Sequence, residues 1–122
     1  MKKNPFISDK NLFGSELYLK RVLCEYGYPR VFICEIESKD VFYLFFEIEA
    51  MYQHTKWLVT KITKNQMNDL IKKRLSVNSI YLNSDDVCTV KTEYAHKTWS
   101  VESEVTFDYI RLFTDKSDIY AE

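Results

Sequence analysis

The sequence predicts an α+β fold: a strongly bent antiparallel sheet, or partly open barrel, of about six strands with one helix. The stretch VFYLFFEIEA at 41–50 is apolar or aromatic at seven of its first eight positions. A strand with this composition is expected to be buried on both faces. Residues 63–75 carry apolar side chains at helical spacing, which predicts a helix able to cover one of those faces.

The composition is typical of one folded domain spanning residues 1–122. Of the 122 residues, 46% are hydrophobic and 16% aromatic, and two Gly and two Pro leave no linker-like segment. No apolar segment at the N-terminus resembles a signal peptide, and no run of about 18 apolar residues predicts a membrane span. Three cysteines without close pairs favour a reducing compartment, so we expect a cytoplasmic protein.

The first part of the chain reads as three strands joined by turns at 26–29 and at Ser38-Lys39. Pairing Glu37 with Asp40 sets the register of the second hairpin. The resulting opposed residues are Phe32 and Phe45, Cys34 and Tyr43, Ile36 and Val41, Val31 and Phe46, Ile33 and Leu44, and Arg30 and Glu47. The last of these is a predicted cross-strand ion pair, and both faces of the hairpin are apolar.

A fourth strand is predicted at 55–62, followed by the helix at 63–75. Thr63 and Gln66 have the spacing of a capping box, in which each side chain bonds the other's backbone N–H. A short helical turn is expected at 77–82 and a loop at 83–86.

Alternating residues predict a last hairpin, 87–95 with 98–105, in which Ala95 pairs with Thr98 and Thr92 with Val101. The apolar tail at 106–122 is expected to dock as an irregular or edge segment. The helix would cover one face of the central strands and this hairpin, curling round, the other. Alternatively, a partner protein or a second copy covers the remaining aromatic surface.

Charge is distributed unevenly along the chain. Residues 56–74 hold six bases against one acid, whereas residues 85–122 hold nine acids against four bases. Such polarity indicates a charged binding surface or, equally simply, an ordinary solvated one.

Few residues have the pattern of a reactive or metal-binding site. The predicted central hairpin carries four glutamates, interpreted as solubilising charges at strand ends: Glu35, Glu37, Glu47 and Glu49. Asp85 and Asp86 lack the spacing of a calcium loop, so we expect a turn role. His54 and His96 lie in predicted loops and not at metal-ligand spacing from a cysteine. We therefore expect no catalytic residue, no metal and no cofactor.

Aromatic residues are in excess, with nine Tyr and eight Phe. Tyr and Trp are favoured in protein interfaces because they are large, rigid and amphipathic. The candidate protein-contact residues are Tyr52, Trp57, Tyr81 and Trp99.

Residues 13–86 resemble an uncharacterised bacterial family known only as a domain of unknown function. The resemblance rests on FGSELYL, VLCEYGYPRVF, FYLFFEIE, KWLVTKIT and SIYLNSDD. It implies a small β-rich cytoplasmic protein of bacteria or their mobile elements, and it assigns no catalytic residue.

These observations together predict a non-enzymatic protein-binding module that acts by occlusion in a bacterial or phage conflict system. It would be an antitoxin, an immunity protein, or a defence component or inhibitor, whose partner is another protein or a second copy of itself. The alternative is a nucleic-acid-binding protein that uses Lys56, Lys61, Lys72, Lys73 and Arg74. A third possibility is a metal-dependent hydrolase that uses the glutamate cluster.

Overall fold

A computed structural model describes residues 2–3, 17–25, 29–36, 40–93, 98–115 and 117–122 of the chain. It has the predicted α+β composition, with an antiparallel sheet and short helices. The sheet has seven strands in the order in which they occur along the chain, and each strand pairs with the next. The strands are β1 (Lys2–Lys3), β2 (Leu17–Glu25), β3 (Pro29–Ile36), β4 (Val41–Ala50), β5 (His54–Ile62), β6 (Cys88–Glu93) and β7 (Thr98–Glu104).

In the described part of the chain, three helices accompany the sheet: α1 (Lys64–Ile71), α2 (Val77–Leu82) and α3 (Phe107–Thr114). The capping box of α1 is confirmed, since Gln66 N donates to Thr63 Oγ1 at 3.1 Å and Thr63 N donates to Gln66 Oε1 at 2.8 Å. The helix ends at Ile71, short of the predicted residue 75. Lys73 adopts a left-handed conformation with φ of 63°, which a continuing α-helix does not allow.

The predicted register of the central hairpin is confirmed along the whole described ladder, from Val31 opposite Phe46 to Ile36 opposite Val41. Glu37, part of the predicted closing pair, lies outside the described residues. Oε2 of Glu47 is buried without a hydrogen-bond partner within the described residues, and the ion pair of Arg30 with Glu47 stays a prediction.

Strand β4 is buried on both faces, as its composition predicts. Leu44 packs in a cluster with side chains from all three helices, whereas Phe45 packs in a second cluster on the opposite face; both are 0% exposed. Burying a side chain of this size stabilises the fold by about 1.5–3 kcal/mol. The helices therefore cover one face of the sheet, and the second cluster fills the other.

The second cluster draws its members from strands β2 to β6. The rings of Phe32 on β3 and Trp57 on β5 lie 5.2 Å apart, although β4 separates their strands. Strands two positions apart are separated by about 9.6 Å. The side chains of these two strands thus meet on this face, where Phe32 also stacks on Phe45 with ring centroids 4.9 Å apart. Val90 of β6 belongs to the same cluster.

The predictions for the C-terminal part were partly wrong. Thr92 lies opposite Trp99, not Val101, so this half of the ladder is two residues out of the predicted register. A shift of two keeps every side chain on the same face, so alternation alone cannot detect it. The tail contains the helix α3, because Thr106 caps its first turn by accepting a hydrogen bond from Tyr109 N at 3.2 Å.

Candidate functional site

The most exposed aromatic side chain of the described chain is at the turn between β4 and β5. This turn, residues 51–53, is called the hairpin tip below. Tyr52 is 96% exposed and its neighbour Met51 is 56% exposed. A hydrogen bond of 2.8 Å from Met51 N to His54 O closes the turn. Tyr52 is one of the residues predicted to contact a protein, and that role stays a prediction; its exposed neighbour Met51 was not among them.

Charged and polar side chains flank the hairpin tip. Glu49 Oε2 lies 3.3 Å from Nε2 of His54. The prediction that His54 lies in a loop was wrong, because it is the first residue of β5. The pairing of β4 with β5 is irregular between Glu47 and Glu49. Such irregularities bend a strand and re-aim its side chains. The tip thus presents an apolar surface next to a half-exposed histidine–carboxylate pair.

Two of the predicted contact residues are core residues, which corrects the sequence prediction. Trp57 is 0% exposed and its Nε1 donates to Thr92 Oγ1 at 3.0 Å. Tyr81 is also 0% exposed, and its hydroxyl lies 2.8 Å from the carbonyl oxygens of both Leu44 and Leu58. Neither ring can reach a partner while the chain is folded. The side chain of Trp99 lies outside the described part of the structure, as does His96.

The basic residues are not gathered in one place. Lys72, Lys73 and Arg74 are exposed and follow α1, with Asp69 lying 3.9 Å from Arg74. Lys61 is exposed on β5 opposite Tyr43, which packs against the second cluster on the face away from the helices. Lys56 is half-buried near the other end of β5, five residues from Lys61, or about 17 Å along the strand.

The glutamates do not gather into a metal-binding cluster. Glu35 lies opposite Phe42 on β4, and Glu47 is five residues further along that strand, about 17 Å away. Within the described residues no group of three or more His, Cys, Asp or Glu side chains is arranged to hold a metal ion. Glu37 lies outside those residues.

The loop at 83–87 contains a hydrogen-bonded cluster and borders a cavity. Thr60 Oγ1 and Ser84 Oγ each lie 2.9 Å from Asp86 Oδ1, which agrees with the turn role predicted for this aspartate. A cavity of about 470 Å³ lies between this loop and the first turn of α3, with Asp85 and Phe107 among its lining residues. It is called the Asp85 cavity below. The sequence prediction missed it because α3 itself was missed.

The cysteines are free thiols. Cys34 is fully buried in the second cluster. Cys24 is partly buried, and its Sγ lies 3.5 Å from Tyr120 O. Burial, and to a lesser extent the charge of Glu122, raises the pKa of the Cys24 thiol, which makes it a poor nucleophile at neutral pH.

Within the described residues, none of the helices has the length and apolar character needed to cross a bilayer. Comparisons of this chain with protein-family models, with curated proteins and with solved structures find no match.

Proposed function

We propose that this protein is a non-enzymatic protein-binding module that acts by occlusion and contacts its partner through the hairpin tip. The observation that supports the proposal most strongly is the 96% exposure of Tyr52 beside the exposed Met51. A tyrosine buries about 150–250 Å² when it is covered, which makes it a typical interface anchor. Its cost in conformational entropy is low because the ring has few rotatable bonds.

The pairing of the two strands that flank the turn supports this role. The tip joins two strands of the sheet that pair from Phe42 opposite Ile62 to Ala50 opposite Thr55. Because Trp57 anchors β5 in the second cluster, the base of the hairpin is fixed in the core. A preorganised contact surface loses little freedom on binding, which favours tight association.

The biological setting comes from the sequence resemblance described above. In that setting the partner is a toxin, an effector or a defence protein in the cytoplasm, and the module blocks its active surface. An antitoxin, an immunity protein and an inhibitor of a defence system all work by this steric mechanism. A second copy of the chain is the other partner considered, and its binding would make the oligomeric state depend on Tyr52.

The test uses the full chain and a double variant of the tip. The tagged wild-type protein, the Met51→Ser/Tyr52→Ser variant and the Leu112→Ser control are each used to capture proteins from the native host. Leu112 is 66% exposed on α3, so the control also replaces an exposed apolar side chain by serine, but away from the hairpin tip. We expect one protein to bind the wild type and the control but not the double variant.

The captured protein is then assayed for its own activity with and without the module. Occlusion predicts that the wild-type module inhibits it and that the double variant does not. Equal capture by all three proteins would contradict the use of the tip, and unchanged activity of the bound partner would contradict occlusion. Sedimentation velocity of the wild type tests whether the partner is a second copy of the chain. We expect a monomer, and a dimer would indicate self-association.

Nucleic-acid binding is the second candidate, supported by the exposed bases around α1. Lys72, Lys73 and Arg74 at this surface would release counterions on contact with phosphates, so binding should weaken with salt. A gel shift with single- and double-stranded DNA and RNA at low salt tests this candidate, with Lys72→Glu/Lys73→Glu as the variant. Absence of any retardation by the wild type would eliminate it.

A further inference from the structure

The Asp85 cavity has a mixed lining at a place remote from the hairpin tip. Its lining combines apolar residues, among them Leu82, Val87 and Ile110, with the polar loop that contains Asp85. Thr60, which bonds the neighbouring Asp86, is six residues from the start of β5, or about 20 Å along the strand from the tip. Any ligand of the cavity is therefore separate from a contact at the tip.

An exposed ring and a free carboxylate meet in this cavity. Phe107 lines it and is 55% exposed. Within the described residues Asp85 makes no ion pair and no side-chain hydrogen bond. Both groups are thus available to a ligand.

The local charge is negative. Asp85, Asp86 and Asp108 are all exposed, and none of the residues lining the cavity is basic. Asp108 lies in the first turn of α3, where its charge offsets the positive end of the helix dipole. The cavity therefore favours a cationic ligand over a neutral or anionic one.

An arginine side chain matches each part of this lining. Its methylene stem can lie against apolar side chains such as Leu82, and its planar guanidinium pairs with a carboxylate through two parallel hydrogen bonds. The same guanidinium stacks on an aromatic ring, which the compact ammonium of lysine does less well. The volume of about 470 Å³ lies within the range of ordinary ligand sites.

We propose that the Asp85 cavity binds the guanidinium of an arginine side chain presented by a partner protein, with Asp85 as its counter-ion and Phe107 as its stacking surface. This inference rests on the proposed function in taking the ligand to be part of a protein. It adds the chemistry that the partner must carry at a second contact.

The experiment titrates the ¹⁵N-labelled full chain with N-acetyl-arginine amide and records amide shifts by NMR. The neutral isostere N-acetyl-citrulline amide is the control ligand, and magnesium chloride tests for a metal site. We expect saturable shifts at residues 82–87 and 107–110 with the arginine probe alone. Asp85→Asn should weaken binding by roughly tenfold and Phe107→Leu by about threefold. Asp118→Asn, at an exposed aspartate outside the cavity, should have no effect.

Equal binding of the citrulline probe would overturn the proposal, as would saturable shifts at the same residues with magnesium alone. Unchanged affinity in Asp85→Asn, or an equal loss in Asp118→Asn, would also overturn it. The Met51→Ser/Tyr52→Ser variant should bind the probe like the wild type. The two proposals therefore fail separately: lack of probe binding refutes the cavity site, whereas tip-independent capture refutes the hairpin contact.

Discussion

Replacing Asn78 by alanine should destabilise the fold more than any change to an exposed asparagine. Asn78 lies in α2 and is 1% exposed. Its Nδ2 donates to Thr114 O at 2.9 Å, and its Oδ1 accepts a hydrogen bond from Ile119 N at 2.8 Å. One side chain thus joins α2 to the end of α3 and to the segment that follows it. That segment contributes Ala121 to the helix-side cluster.

The magnitude follows from the two short hydrogen bonds that the variant loses, together with a longer one of 3.5 Å from Nδ2 to Ser117 O. Each contributes about 0.5–1.5 kcal/mol, and a buried group left without its partner costs about 1–3 kcal/mol. Ile119 is half-buried, so water can satisfy its amide in part. We therefore expect Asn78→Ala to lower the free energy of unfolding by about 2–4 kcal/mol.

The assay is urea unfolding followed by tryptophan fluorescence, together with hydrogen exchange of the Ile119 amide. Asn83→Ala is the matched control, because Asn83 is exposed and donates a single side-chain hydrogen bond, to Ser79 O at 2.8 Å. Its expected cost is below about 1 kcal/mol. If the two variants differ by less than about 1 kcal/mol, or if the Ile119 amide keeps its protection in Asn78→Ala, the reasoning is refuted.

Two further changes test other parts of the fold. Burial raises the pKa of Tyr81 well above its usual value, so the native state keeps its proton while the unfolded state releases it near pH 10. The free energy of unfolding should therefore fall as pH rises beyond about 10. Tyr81→Phe should make this fall less steep in unfolding curves measured between roughly pH 9 and pH 11. An equally steep fall in the variant would contradict a raised pKa for Tyr81. Thr63→Ala removes the capping hydroxyl of α1 and should lower the free energy of unfolding by about 1 kcal/mol. Gln66→Ala should cost less, because it leaves the Thr63 hydroxyl in place, and thermal unfolding that ranks the two variants in the reverse order would count against the capping box.

The sequence was most informative where local chemistry and burial agree. The register of the central hairpin follows from its turn and its apolar faces, and the start of α1 follows from the Thr63 capping box. The α3 helix was missed because Phe107, Tyr109 and Phe113 favour strands by composition. The Thr106 cap and Asp108 in the first turn were signals that could have identified it.

Less of the candidate site than of the fold could be predicted from the sequence. Exposure of Tyr52 follows from its position in a turn, but the interior places of Trp57 and Tyr81 depend on tertiary packing. Both have polar atoms that would be costly to bury alone, and each finds a partner that is distant in sequence, at Thr92 for Trp57 and at Leu44 for Tyr81. The Asp85 cavity depends on the docking of α3 and leaves no local pattern.

The account depends on β4 being packed on both faces, since this leaves the hairpin tip as the exposed part of the ribbon. The most direct measurement compares Leu44→Ala with Phe45→Ala by urea unfolding, because these neighbours face opposite sides and both are 0% exposed. We expect each to lower the free energy of unfolding by more than about 2 kcal/mol, while Tyr52→Ala stays within about 0.5 kcal/mol of the wild type. A cost below about 1 kcal/mol for either core variant would mean that one face is open and would contradict the account.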